Sequence, residues 1–345
     1  MRAAAVLLVI VRHIRYAPNT SGVLSALARS LALGGWVGVD LFLVLSGFLI
    51  SGLLFSEQRQ TGSISFRRFF IRRAFKILPP FYFLCGVAVI LKVEPDPQKV
   101  LNDLFFVQNY FQGMWLHTWS LALEEHFYLL LPWLLIFLAH GRGEGGFKKI
   151  PEIFLFTAAA CLTMRILSFN GPPSGAVPSL SATHLRMDSL FFGVLISYFH
   201  HYEKATFQRV AVEGGHWLLF GGTLFLLPAF LMPIGTFFIL TFGLSFFYIG
   251  AGMILIWLIA HERLFRGAFW SLPVFVGACS YSVYLWHVIT LRWCSQVIPR
   301  SPNPCLYVVS CVASTVGMGA LMWLFIERPA LKLRRLYDKK AFHLS

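Results

Sequence analysis

The side chains whose types and spacing could do chemistry begin at Arg2 and His13. Eleven residues at ~100° each end about 20° short of three helical turns, so the two share one helix face, ~16 Å apart along the axis. A cation at one end of such a stripe suits an anionic group, and an imidazole at the other can take a proton. The plainer alternative is an arginine anchored at a membrane surface and a histidine that hydrogen-bonds a neighbouring helix.

The stretch SISFRRFFIRRAFKILPPFY (63–82) places Arg68, Arg72 and Lys76 at i, i+4, i+8, with Arg73 beside them and Phe69 and Phe70 on another face. It predicts an interfacial amphipathic helix ended by Pro79 and Pro80. Its guanidinium forks suit the pyrophosphate and ribose phosphate of coenzyme A, although anionic lipid headgroups would satisfy the same stripe. In HTWSLALEEHFYLLLP (117–132), Ser120 precedes Glu124 by four residues on one face. Glu125 is rotated away by ~100°, which makes Glu124 the deeper group. A carboxylate there could orient a base, hold an arginine or bind a sugar hydroxyl. Trp119 and Tyr128 are rings suited to an interface.

Weaker signals follow. Arg186 and Asp188 in RMDSLFFG are two apart and so take separate partners. Ser280, Tyr284 and His287 in SYSVYLWH follow i, i+4, i+7 and form a polar stripe. Asp40 and Gly47 lie on one face, the glycine permitting close helix packing. Glu327 precedes Arg328 and the helix-ending Pro329. Each reads first as a packing or supporting group. The cysteines lack metal or redox spacing, and no metal site is expected.

Positioning these groups falls to membrane helices. The 345 residues are 57% hydrophobic and 13% charged, and the mean hydropathy of +0.69 lies outside the range of a soluble domain. Apolar stretches near the ~18-residue spanning threshold recur throughout. They predict an all-α integral membrane protein with about ten transmembrane helices, at roughly 1–15, 36–56, 77–92, 118–139, 150–168, 185–202, 215–233, 236–260, 271–296 and 305–327. A net charge of +14 would suggest nucleic acid in a soluble protein. Here the charges alternate by loop instead, and no nucleic-acid partner is expected.

With the N-terminus cytoplasmic, segments 57–76, 140–149, 203–214, 261–270 and 328–345 hold about nineteen of the 29 Lys and Arg. The outside loops hold about five: Arg15, Arg29, Lys92, Lys99 and Arg300. That asymmetry predicts both termini in the cytoplasm and a multi-pass chain in the cell (inner) membrane. The opening run lacks a small-residue cleavage site and reads as a retained helix. It rises only ~22 Å against a ~30 Å hydrocarbon core, so the natural start is expected upstream. Residues 1–330 form one membrane domain and 331–345 a short basic tail.

These residues resemble the membrane acyltransferase-3 family, which O-acylates bacterial envelope molecules. The matching elements are Arg2 with ten residues before His13, GVDLFLVLSGFLI (38–50), the basic run from Phe66 to Pro79, and WSLALEEHFY (119–128). RMDSLFFG (186–193), SYSVYLWH (280–287) and IERP (326–329) follow in family order. The sequence departs at Lys76, where the family commonly has arginine. The resemblance is to the stand-alone type, without an appended hydrolase-like domain.

The resemblance implies ten helices and an acyl-CoA donor, acetyl-CoA in the first instance, as a substrate rather than a tightly bound cofactor. His13 and Glu124 are then the catalytic positions, and Arg2, Arg72, Arg73 and Lys76 hold the donor phosphates. Trp119, Ser120, Arg186, Asp188, Tyr284, His287 and Glu327 are supporting candidates. A neutral His13 would remove the proton of a carbohydrate or other acceptor hydroxyl as it attacks the thioester; an acyl-histidine intermediate is the other route. The rival class is a secondary transporter or flippase of a polar envelope substrate. No inverted repeat or paired set of broken helices favours it.

Overall fold

Among the residues described in the computed structural model (1–14, 23–91, 93, 96–169, 181–298 and 304–342), every regular element is helical. In chain order these are α1 (Arg2–His13), α2 (Val23–Gly34), α3 (Gly38–Thr61), α4 (Phe66–Ile90), α5 (Pro97–Leu104), α6 (Trp119–Ala139) and α7 (Ile150–Leu167). They continue as α8 (Thr183–Tyr202), α9 (Lys204–Leu231), α10 (Leu244–Ala260), α11 (Ser271–Ala278), α12 (Ser280–Val297), α13 (Pro304–Met322) and α14 (Arg328–Phe342). Arg15, Lys92 and Arg300, counted above as outside cations, and tail residues 343–345 lie outside the described residues.

Seven helical stretches among the described residues are long and apolar enough to cross a membrane, eight if the broken pair α11–α12 forms one span. The expected ten therefore separates into these and two others. The first, α1, has only 12 residues; the second, α8, carries Arg186, Asp188 and several histidines. The first falls short in length and the second in apolarity, and both are packed against neighbouring helices. The core centres on α3 and α8, which cross at two glycines. A Cβ at Gly47 would lie 2.0 Å from the Leu190 carbonyl oxygen, and one at Gly193 2.1 Å from that of Val44. Close backbone approach of this kind is how helices gain packing where lipid removes the hydrophobic incentive.

Four boundaries differ from expectation, each for a physical reason. Pro79 and Pro80 do not end the basic helix, since α4 runs through both. Inside a bundle, neighbouring groups can satisfy what proline frees, here the carbonyls of Phe75 and Lys76; the Tyr281 hydroxyl donates to the next carbonyl along, that of Ile77, at 3.0 Å. The presumed outside loop 16–35 contains α2, which leads through a short turn into α3. The presumed inside loop 203–214 is the first part of α9, which kinks at Gly215, a left-handed residue at φ 43°. The helix expected at 271–296 breaks at Cys279 with a 69° bend.

Helix α1 is threaded among α2, α3, α11 and α12. Its Ala5, Val6, Val9 and Ile10 are buried, and Gly35 and Gly38 let it approach closely: a Cβ on them would meet the Leu8 and Ala5 carbonyl oxygens at 2.3 and 2.4 Å. Arg12 donates to the Ala32 carbonyl at 2.8 Å, tying the end of α1 to α2. The helix carrying Arg2 and His13 is thereby fixed in both rotation and height.

Candidate active site

A cavity of about 310 Å³ lies between α1, α3, α4, α6 and α12. Its cations are Arg2 from α1 and Arg73 and Lys76 from one face of α4. Ser46 of α3, Ser120, Glu124, Glu125 and Tyr128 of α6, and Ser280, Tyr281 and Tyr284 of α12 supply the other polar groups. The remaining wall is the apolar stripe of α3, from Val39 to Leu53, with Ile77 of α4 and Leu121 of α6. The break at Cys279 adds an electrostatic element, because it sets the N-terminus of α12, the partly positive end of its dipole, at the cavity wall beside Ser280.

The cations are held in place. Lys76 pairs with Glu327, whose other oxygen accepts from Ser282 Oγ at 2.6 Å. Glu327 is fully buried in a π-helical turn joining α13 to α14, an irregularity common at functional sites. Arg73 lies over the Tyr128 ring, 5.7 Å from its centre. The Tyr128 hydroxyl donates to Glu124 Oε2 at 2.6 Å and meets Ser46 Oγ at 2.5 Å. Glu124 thus sits within a hydroxyl network opposite the cations.

At the far end, the Ser120 and Tyr284 hydroxyls meet at 2.7 Å, and Tyr284 donates to the His117 carbonyl at 2.6 Å. Against this pair stand three imidazoles. The His287 ring is 4.8 Å from that of His13 and 4.7 Å from that of His117, edge-on to both. His13 Nδ1 donates to the Val9 carbonyl at 2.8 Å, which leaves Nε2 as the lone-pair nitrogen. His13 lies at the exposed end of α1, outside the cavity lining.

His117 is delivered by the segment after α5, which a buried carboxylate pins. Asp103 accepts from the Met114 N–H at 2.6 Å and from Thr118 Oγ1 at 2.9 Å. Burial raises the Asp103 carboxyl to about 6, against the opposing effect of those donors.

The sequence expectations therefore divide. Arg2, Arg73, Lys76, Glu124, Ser120 and Tyr284 line one cavity, and His13 and His287 adjoin its end. Glu327 supports Lys76 from behind. Arg72 is half-buried and outside the lining. Trp119, Arg186 and Asp188 belong to another group: Arg186 pairs with Asp40 at 2.8 Å beneath the Trp119 ring, and Asp188 pairs with Arg165. Glu125 was expected to turn away, yet it lines the cavity beside Glu124, because the opening is wide enough to take in both directions. His117 and Tyr281 were missed. Each lies within a quoted motif, His117 at the start of 117–132 and Tyr281 in 280–287, but periodicity cannot rank residues in an irregular segment or at a helix break.

A helical bundle with seven or eight stretches of spanning length among its described residues and such a cavity beside clustered imidazoles has the form of a polytopic membrane protein with a polar cavity between its helices. The chain is a member of the acyltransferase-3 family, whose acyltransferase domain matches residues 1–323. It is 28% identical over 361 residues to the peptidoglycan O-acetyltransferase OatA of Listeria monocytogenes, covering 96% of this chain and 55% of that protein. It is 25% identical over 334 residues to the O-acetyltransferase OatA of Staphylococcus aureus, covering 87% and 53%. The chain spans about half the length of the curated relatives it matches. No solved structure matches it.

Proposed function

We propose that this protein transfers an acyl group, acetyl in the first instance, from acyl-CoA to a hydroxyl of an envelope carbohydrate. The observation that carries the reading is one cavity with Arg2, Arg73 and Lys76 among its lining and its Ser120–Tyr284 end against the imidazole cluster. Donor phosphates at the cations would leave an extended thioester arm to bridge the ~16 Å between Arg2 and His13. The acceptor would come to the exposed face of His13 from the opposite side. The peptidoglycan named for the Listeria relative belongs to the same acceptor class.

In this reading His13 Nε2 takes the acceptor proton while the oxygen attacks the thioester carbon, and the proton passes to the departing thiolate. Arg73 and Lys76 supply charge-assisted contacts to the donor, and Glu124 orders the wall through Tyr128 and Ser46. In this reading the cationic end faces the cytoplasm, which the loop charges support, with the chain in the cell membrane. Reporter fusions after residues 70 and 340 should both read cytoplasmic; an outward reading at either would remove the basis for a cytoplasmic donor.

The donor assignment has its own test. Arg73→Ala should weaken coenzyme A binding by about 10- to 100-fold, the worth of one charge-assisted hydrogen bond. Arg72→Ala, outside the cavity, should weaken it much less. Equal binding by the parent and the Arg73 variant, measured calorimetrically in detergent, would refer the basic stripe to lipid headgroups instead.

A further inference from the structure

His287 is wholly buried, and its hydrogen bonding is incomplete. Nδ1 donates to the Tyr284 carbonyl at 2.5 Å, so Nε2 carries the lone pair, and that atom has no partner. An unsatisfied buried acceptor is costly. Its three ring neighbours offer it no donor: His13 spends Nδ1–H on the Val9 carbonyl, His117 spends Nε2–H on the Leu285 carbonyl at 3.3 Å, and Tyr284 spends its O–H on the His117 carbonyl. Each of the three imidazoles thus has a backbone carbonyl for one N–H and a lone pair on the other nitrogen. The cluster is built with one proton too few.

We propose that His287 is a positioning residue that takes a share of the proton His13 acquires during transfer. The inference rests on the reading of His13 as general base. The acceptor O–H bond breaks as the ester C–O bond forms. The proton arriving on His13 is held within the cluster, where His287 Nε2 supplies the acceptor. The C–S bond then breaks, and the proton leaves to form the thiol of coenzyme A. Because the orphan acceptor is satisfied only once that proton arrives, its stabilisation falls on the transition state and not on the resting enzyme. The titratable groups acting on His287 are His13 from α1 and His117 from the segment before α6, with Arg12 acting on His13.

The test uses His287→Phe, which keeps a planar ring without a lone pair, and His287→Gln, whose amide can place an acceptor near the Nε2 position. Phenylalanine should lower kcat by about 5- to 150-fold, the range of one hydrogen bond to a buried group. Coenzyme A binding should hold, and the acid limb of the pH–rate profile should move to lower pH, since the cluster no longer favours the protonated state. Glutamine should recover part of kcat. Parental kcat in the phenylalanine variant, or a fall in kcat with an unmoved acid limb, overturns the proposal. If His13→Ala is inactive while His287→Phe is parental, only the relay fails; a fully active His13→Ala removes the base assignment beneath it.

Discussion

Alanine at position 13 should lower acyl transfer by about 10²- to 10⁴-fold, the usual cost of losing a general base. His13 occupies the exposed end of α1, so expression, folding and coenzyme A binding should stay near parental values. The loss should appear in kcat, with the KM for donor little changed, because the work of the imidazole is done in the transition state. His287→Ala is the comparison that matters. The two rings touch, so both substitutions should slow the reaction, but His13→Ala more severely, since only His13 reaches the exposed face where an acceptor could arrive. Near-parental turnover of His13→Ala beside an inactive His287→Ala would move the base to α12.

The largest effect on stability is expected in the charged group under Trp119. Arg186 and Asp40 pair at 2.8 Å, Arg165 pairs with Asp188, and all four side chains are buried. Arg165 also reaches the Thr241 carbonyl at 3.0 Å, so three helices and a π-helical turn meet at this point. Arg186→Met would leave Asp40 buried, with its cation gone, and should cost about 3–5 kcal/mol. Adding Asp40→Asn should restore much of that loss, because the penalty lies in the orphaned charge more than in the absent pair. Thermal unfolding in detergent would separate the two, with exposed Arg59→Ala as a near-neutral control. A double variant no more stable than Arg186→Met would show that Trp119 packing, and not the uncompensated carboxylate, carries the cost.

Much of the site was legible because helical geometry is local. With 3.6 residues per turn, Arg2 and His13 had to share a face wherever α1 was placed, and Arg73 and Lys76, three apart, likewise. The polar stripe Ser280–Tyr284–His287 kept its direction as well, since α12 is regular after its first residue. The same local rule failed for Glu125. It gives the angle between neighbouring side chains but not how wide an opening they will face. It failed again at Arg72, whose position on the basic stripe said nothing about which flank of α4 the cavity would take.

What the amino-acid sequence by itself determined is the class: apolar stretches of spanning length force helices, because backbone groups in lipid must bond within their own segment. It also determined family membership, through motifs spread along the chain. Only the tertiary structure decided how those helices are interrupted and joined. Pro79 and Pro80 continue a helix inside the bundle, where the Tyr281 hydroxyl reaches the Ile77 carbonyl just before them. Cys279 breaks one and so brings a helix N-terminus to the cavity. Arg186 could have paired with any buried carboxylate, and the crossing of α3 and α8 at Gly47 and Gly193 sets Asp40 opposite it. The cluster of His13, His117 and His287 joins two helices and an irregular segment that share no period. Periodicity orders groups along one element, whereas contacts between elements depend on how the backbones pack, and that is settled by the bundle as a whole.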